Sequence, residues 1–228
     1  AIDLATGRSR HVASGLRNPQ GLARAPDGRL WESEHGPQGG DEINLLVEGR
    51  NYGWPVVTYG MAYGPTGTNW PANPRPGRHD GFETPRFAFV PSVGIGSLAA
   101  VAGDEFPRWS GLLAACSLRQ RTLYLLGAEG DAVVYAEPVL LGERLRDIVA
   151  LPDGRLAIWA DSGTLLIVAN AERRGAAAPA KAVWRTPPPT LTAEESNLAA
   201  VDEPALGRAI FARNCASCHS LADEAGIG

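Results

Sequence analysis

The chain has 228 residues, 44% hydrophobic and 20% charged, the composition of an ordinary soluble globular protein with length for one substantial core, or one domain and a small appendage. Its net charge of −4 offers no basic surface for nucleic acid and no polybasic membrane patch. No apolar run approaches the roughly 18 residues of a membrane span.

The N-terminal segment has no basic stretch followed by an apolar one, so it carries no signal-peptide pattern. Ile2-Asp3-Leu4 and Ala5-Thr6-Gly7 already read as strand and turn, and the sequence stops at Ala225-Gly226-Ile227-Gly228. Both ends are expected to be interior positions of a longer polypeptide.

Residues 1–170 are rich in Gly and Pro, with short apolar-alternating runs between turns, such as Arg29–Ser33, Thr122–Leu126 and Thr164–Val168. Such runs without long helical periodicity predict an all-β sandwich, barrel or propeller. The pentapeptide Pro-Asp-Gly-Arg-Leu occurs at Pro26–Leu30 and again at Pro152–Leu156, each an Asp-Gly turn leading into an apolar strand. The offset of 126 residues equals three units of 42, within the roughly 40–50 residues of a propeller blade. A propeller is therefore the expected fold.

Five segments of this region are rich in polar or glycine residues. Arg17-Asn18-Pro19-Gln20-Gly21 puts a guanidinium and amides on a proline-stiffened turn. Glu34–Asn44 (EHGPQGGDEIN) joins a histidine, a Gly/Pro loop and carboxylates, a source of the hard oxygen ligands that Ca²⁺ prefers. Asn51–Pro55 (NYGWP) is an aromatic turn. Gly103-Asp104, Phe106-Pro107, Trp109 and Gly111 follow, then Arg119 after an apolar strand whose Cys116 reads as a buried core thiol. In Arg144-Leu145-Arg146-Asp147 the two arginines share one face of an extended strand. Arg17, Arg119, Arg144 and Arg146 suit a ligand with several carboxylates, because arginine binds carboxylate bidentately and keeps its charge. On composition and spacing alone, scattered solvated surface charges account for the same pattern.

Beyond Asn170 the character changes. Residues 171–204 are rich in Ala and Pro around Thr186-Pro187-Pro188-Pro189-Thr190, which predicts an extended linker. Residues 205–228 begin with Leu206, Ile210 and Phe211 at helical spacing and lead into Cys215-Ala216-Ser217-Cys218-His219. This is the pattern for covalent haem attachment, with thiols at Cys215 and Cys218 and an axial nitrogen from His219. A two-cysteine redox motif or half of a zinc site are the alternatives, and no further zinc ligands follow.

In order and spacing, the five segments resemble the soluble PQQ-dependent aldose and glucose (glucose/sorbosone) dehydrogenases, over roughly residues 10–168. That family consists of six-bladed β-propellers, so the resemblance implies that residues 1–170 are the C-terminal part of one. Gly207–Phe211 and Ser220-Leu221 flank the haem motif as in the opening of class I cytochromes c, which implies a truncated α-helical cytochrome c domain and a periplasmic location. By motif match, PQQ falls to Arg17, Asn18, Gln20, Arg119, Arg144 and Arg146, with Arg119 standing where glucose dehydrogenases carry lysine. One Ca²⁺ falls to the carbonyls of Gly36 and Pro37, and a structural one to oxygens around Glu42 and Tyr52. The implied reaction oxidises an aldose at its anomeric carbon to the lactone, with PQQ as hydride acceptor. Electrons then pass to haem c and on to a downstream cytochrome or oxidase. The implied histidine base falls upstream of this chain; His11, His35 and His79 do not match its position. Two other readings are a Ca²⁺-dependent lactonase-type hydrolase, which leaves the arginines and haem motif unexplained, and a non-catalytic binding propeller. No P-loop, dinucleotide fingerprint, zinc-protease helix or serine elbow is present.

Overall fold

A computed structural model describes residues 1–64, 68–73 and 75–174. Eleven strands form within them: β1 (Pro19–Arg24), β2 (Leu30–Glu34), β3 (Asp41–Leu46), β4 (Phe87–Phe89), β5 (Ile95–Ala100), β6 (Leu113–Ser117), β7 (Thr122–Glu129), β8 (Ala132–Leu140), β9 (Leu145–Ala150), β10 (Leu156–Ala160) and β11 (Leu165–Val168). A single helical turn, Ala171–Arg174, follows. The strands pair with their sequence neighbours into three antiparallel meanders, β1-β2-β3-β4, β5-β6-β7-β8 and β9-β10-β11.

The sheets stack face to face through two apolar layers. Trp31, Ile43 and Leu45 of the first sheet meet Leu98, Leu113, Ala115 and Leu126 of the second. Ala114, Cys116, Leu123 and Leu125 on the opposite face of the second meet Leu145, Ile148, Leu156 and Ile158 of the third. The period-two alternation of β6 thus serves two cores, which is why its five residues are all buried. Cys116 lies inside the second core, and burial pushes its thiol up to about 12.

The first strands of the three sheets lie side by side, as the inner strands of propeller blades do. Their approach needs glycine at two points. A Cβ on Gly21 would come within 2.5 Å of the Leu98 amide nitrogen, and one on Gly96 within 2.8 Å of the Arg146 carbonyl oxygen. Strand direction then sorts the loops. The starts of β1, β5 and β9 and the ends of β2, β6 and β10 share one end of the sheets, here called the site end.

The two Pro-Asp-Gly-Arg-Leu copies sit at the other end and have the same local structure. In each, the Asp side chain accepts from the backbone and Nε of the arginine two residues on. The turns join β1 to β2 and β9 to β10, so the offset of 126 residues spans two sheet repeats and not three of 42. The sheets are unequal in length because the first carries a long excursion, residues 47–86, between β3 and β4.

Gly96→Ala is expected to force β5 and β9 apart and to lower stability by about 1–3 kcal/mol, the usual cost of overpacking. Denaturant unfolding of the variant against the parent measures this.

Candidate functional site

Glu32 and Glu34 alternate with Trp31 and Ser33 along β2, and the register sets them opposite Asn44 and Glu42 of β3. Trp31 and Ile43 face the second sheet, so the four polar side chains share the other face. All are buried. Asn44 Nδ2 donates to Glu32 Oε2 at 3.0 Å and to Glu34 Oε1 at 3.2 Å. The second oxygen of Glu34 accepts from the backbone amides of Arg17 and Asn18. The RNPQG turn therefore hangs from a buried carboxylate one sheet position away.

Burial, aided by the charge of Glu34, pushes Glu32 up to about 9 and Glu42 up to about 8. Burial also raises Glu34, against the pull of the two amides it accepts from. Asp41 goes the other way. Burial acts to raise its carboxyl, but the nearby His35 imidazole and hydrogen bonds from Ser92 and Ile95 together hold it below the usual range. Its Oδ2 accepts from Ser92 Oγ at 2.7 Å and from the amides of Val93 and Ile95 at 3.1 and 2.9 Å. That carboxylate fixes the crossing from the first sheet to the second.

Arg17 is held through both of its terminal nitrogens, while its Nε is buried without a partner. One Nη donates to the carbonyls of His35 and Gly36 at 3.1 and 3.0 Å, the other to the Tyr63 hydroxyl at 2.9 Å. Its guanidinium also lies 5.1 Å from the Trp54 ring centroid, a cation–π distance. Gln20 Nε2 donates to Asn18 Oδ1 at 3.0 Å, so these two amides form one unit on the same turn.

Arg119 follows β6 at the site end, and its Cβ packs beside Gly94 at the start of β5. Arg144 and Arg146 flank the start of β9 at that same end, and both reach the carboxylate of Asp161, just past β10. The structure thus places all six residues matched to PQQ at one end of the sheets. It joins them as two groups, Arg17-Asn18-Gln20 and Arg144-Arg146, with Arg119 between their sheets. Arg119, Arg144 and Arg146 thus bring three arginines to this end, two of them sharing the Asp161 carboxylate.

The residues matched to Ca²⁺ also suit an ion. A cavity of about 10 Å³, lined by Gly36, Glu34, Glu42, Tyr52 and Thr58 among others, has the size of one water-sized particle. On the same face of β2 and β3, though not lining that cavity, Glu32 Oε1 and Asn44 Oδ1 are buried without a hydrogen-bond partner. Among the described residues no three His, Cys, Asp or Glu side chains are grouped to hold a metal. A cation would thus take carboxylate together with backbone oxygens, a donor set Ca²⁺ accepts. The Tyr52 hydroxyl is committed to Leu45 O and the Val47 amide, which leaves its backbone oxygen as the available donor. The Gly36 carbonyl already accepts from Arg17 at 3.0 Å, so a cation taking that oxygen would share it with the guanidinium.

The roles of Glu32, Glu34 and Asp161 are not visible in the sequence. Alternation in β2 marks Glu32 and Glu34 as facing away from Trp31, which reads as solvent-facing, and only the covered second face makes them interior. Cys215, Cys218 and His219, with the linker and haem-domain boundaries, lie outside the described residues. No helix among the described residues is long and apolar enough to cross a membrane.

Residues 4–167 match the family model described as glucose/sorbosone dehydrogenase. The aldose sugar dehydrogenase of Escherichia coli is 38% identical over 159 residues, covering 68% of this chain and 42% of that protein. A crystal structure of a glucose dehydrogenase superposes with TM-score 0.62 at 41% identity, covering 70% of this chain and 46% of the other. The PQQ-bound aldose sugar dehydrogenase of Streptomyces coelicolor gives TM-score 0.50 at 26% identity, covering 69% and 41%. The chain therefore spans less than half the length of these relatives.

Glu32 and Glu42 hold protons in the folded chain over a pH range where the unfolded chain has lost them. Stability of the metal-free protein is thus expected to fall as pH rises from about 4.5, the ordinary glutamate value, through 8 to 9. A cation bound beside these carboxylates would favour their ionised forms, so any rise in Tm on adding Ca²⁺ should be larger at pH 8 than at pH 5. Thermal melts with and without chelator at the two pH values measure both effects.

Proposed function

The chain belongs to the glucose/sorbosone dehydrogenase family, and from that premise we propose that it forms the C-terminal part of a six-bladed, PQQ-dependent aldose dehydrogenase. The observation that carries this reading is the convergence of Arg17, Arg119, Arg144 and Arg146 on one end of three stacked sheets. Arginine is not confined to this end, since Arg29 and Arg155 lie in the turns at the other, but all four arginines matched to PQQ are found here.

In this reading Arg119, Arg144 and Arg146 bind the carboxylates of PQQ, and Asn18 and Gln20 supply amide contacts from the RNPQG turn. Arginine suits the task because its guanidinium stays charged at any working pH and presents a planar fork. Arg17, pinned by the Gly36 carbonyl and Tyr63, sits where the cofactor wall meets the cation loop. Ca²⁺ binds at Gly36 and Pro37, and a structural ion near Glu42 and Tyr52. When bound, PQQ with its Ca²⁺ would supply a polarised quinone as acceptor for hydride from the anomeric carbon, and the anomeric hydroxyl proton would pass to a general base, giving the lactone. The protein's contribution here is to hold the cofactor rigidly and to surround it with fixed positive charge, so that little reorganisation accompanies the transfer.

No histidine of this chain is assigned as the general base. His79 is buried, with burial lowering it to about 4, and His35 Nδ1 lies 3.7 Å from Asp41 Oδ1. Residues 171–204 act as a linker to a cytochrome c domain beginning at 205, in which Cys215 and Cys218 carry haem c and His219 is an axial ligand. A two-electron donor beside a one-electron acceptor needs two successive transfers, and a tether raises the local concentration of that acceptor. The location proposed is the periplasm, with a downstream cytochrome or oxidase as electron acceptor and residues 1–228 alone inactive.

Dye-linked oxidation of an aldose panel by the full-length protein tests this. Activity is expected only with both PQQ and Ca²⁺ present, with reduced haem accumulating when the dye is omitted. A folded protein that oxidises no aldose under those conditions contradicts the reading.

A further inference from the structure

We propose that Asp161 is a positioning residue that sets the guanidinium groups of Arg144 and Arg146 for a ligand with several carboxylates. This rests on the reading that PQQ binds at the site end. Nothing in the family match singles Asp161 out; its geometry does.

Asp161 is fixed before its side chain acts. Its amide donates to the Arg144 carbonyl at 2.9 Å, extending the β9–β10 ladder beyond Leu145↔Ala160. From there the carboxylate reaches both arginines: Oδ2 accepts from Arg144 Nε at 2.9 Å and Oδ1 from Arg146 Nε. A second Arg146 contact, from Nη2 to Oδ2, is long at 3.5 Å. The arginine side chains are 48% and 49% exposed and that of Asp161 29%. The carboxylate is thus the inner member of the trio, with the arginines flanking it.

Three consequences follow from the chemistry of the guanidinium. It has two faces for bidentate binding, the Nε side and the terminal Nη pair. Asp161 occupies the Nε side of both arginines, and the Nη groups of Arg144 donate to no other group among the described residues. The terminal fork of Arg144 and Nη1 of Arg146 stay available to an incoming carboxylate. Two cations two residues apart on one strand face repel, and one carboxylate between them removes the repulsion while leaving the trio with a net positive charge. Flexible arginines otherwise lose rotamer freedom when a ligand binds; here that ordering precedes the ligand.

The test measures PQQ affinity of the Ca²⁺-loaded full-length protein by quenching of tryptophan fluorescence, with Tm recorded alongside. Asp161→Ala is expected to weaken PQQ binding about tenfold or more with little change in Tm. Asp161→Asn, which retains one acceptor oxygen, should recover part of that loss. Arg144→Lys keeps the charge and loses the fork, so it should also weaken binding, and it serves if the Asp161 variants do not fold. Unchanged or tighter binding in Asp161→Ala, or parental affinity in Arg144→Lys, overturns the proposal while leaving PQQ dependence intact. A parent protein that takes no PQQ overturns the functional reading, and this proposal with it.

Discussion

The buried carboxylate of Glu34 is the constraint on which the site end is built. It accepts the backbone amides of Arg17 and Asn18 on one side and the Asn44 amide on the other. It also ends the strand that leads into the His35–Gly40 loop. A charge in that position is costly unless it is paired and hydrogen-bonded, and each of its donors is an element of the candidate site. Without it, two part-buried amides lose their acceptor and the RNPQG turn loses its fixed relation to the cation loop. Asp41 performs the equivalent task one strand later, with Ser92, Val93 and Ile95 as donors, so the second sheet is set relative to the first by a carboxylate as well.

Given that frame, the gathering of these arginines at the site end is a consequence of topology. Each first strand starts at the site end, and glycines at 21 and 96 let the neighbouring first strands approach closely. Residues far apart in sequence, from Arg17 to Arg146, reach one end because three meanders repeat the same strand direction. The Pro-Asp-Gly-Arg-Leu turns mark the opposite end and keep it free of this role. The candidate site at one end and turn chemistry at the other follow from the shared strand direction of the three sheets.

The sequence makes the all-β class, the strands at Arg29–Ser33, Thr122–Leu126 and Thr164–Val168, and the buried Cys116 legible, because alternation and Asp-Gly turns are local signals. The repeat length was not legible. A blade with an excursion over 47–86 and another with short connections cannot share one period, and two identical turns do not report what lies between them. Among site residues, Arg144 and Arg146 stood out by their spacing on a strand. Asp161 did not, since nothing within the apolar run Leu156–Ala160 indicates that the next residue faces two arginines across a ladder. Glu32 and Glu34 illustrate the same limit: alternation gives the face a side chain occupies and is silent on what covers that face.

The central claim is that the arginines at the site end are a cofactor wall. A crystal structure of the full-length protein grown with PQQ and Ca²⁺ tests it most directly. The account predicts ordered PQQ across the starts of β1, β5 and β9, its carboxylates on Arg119, Arg144 and Arg146. Ordered PQQ elsewhere, with those three side chains contacting only protein and solvent, would contradict it.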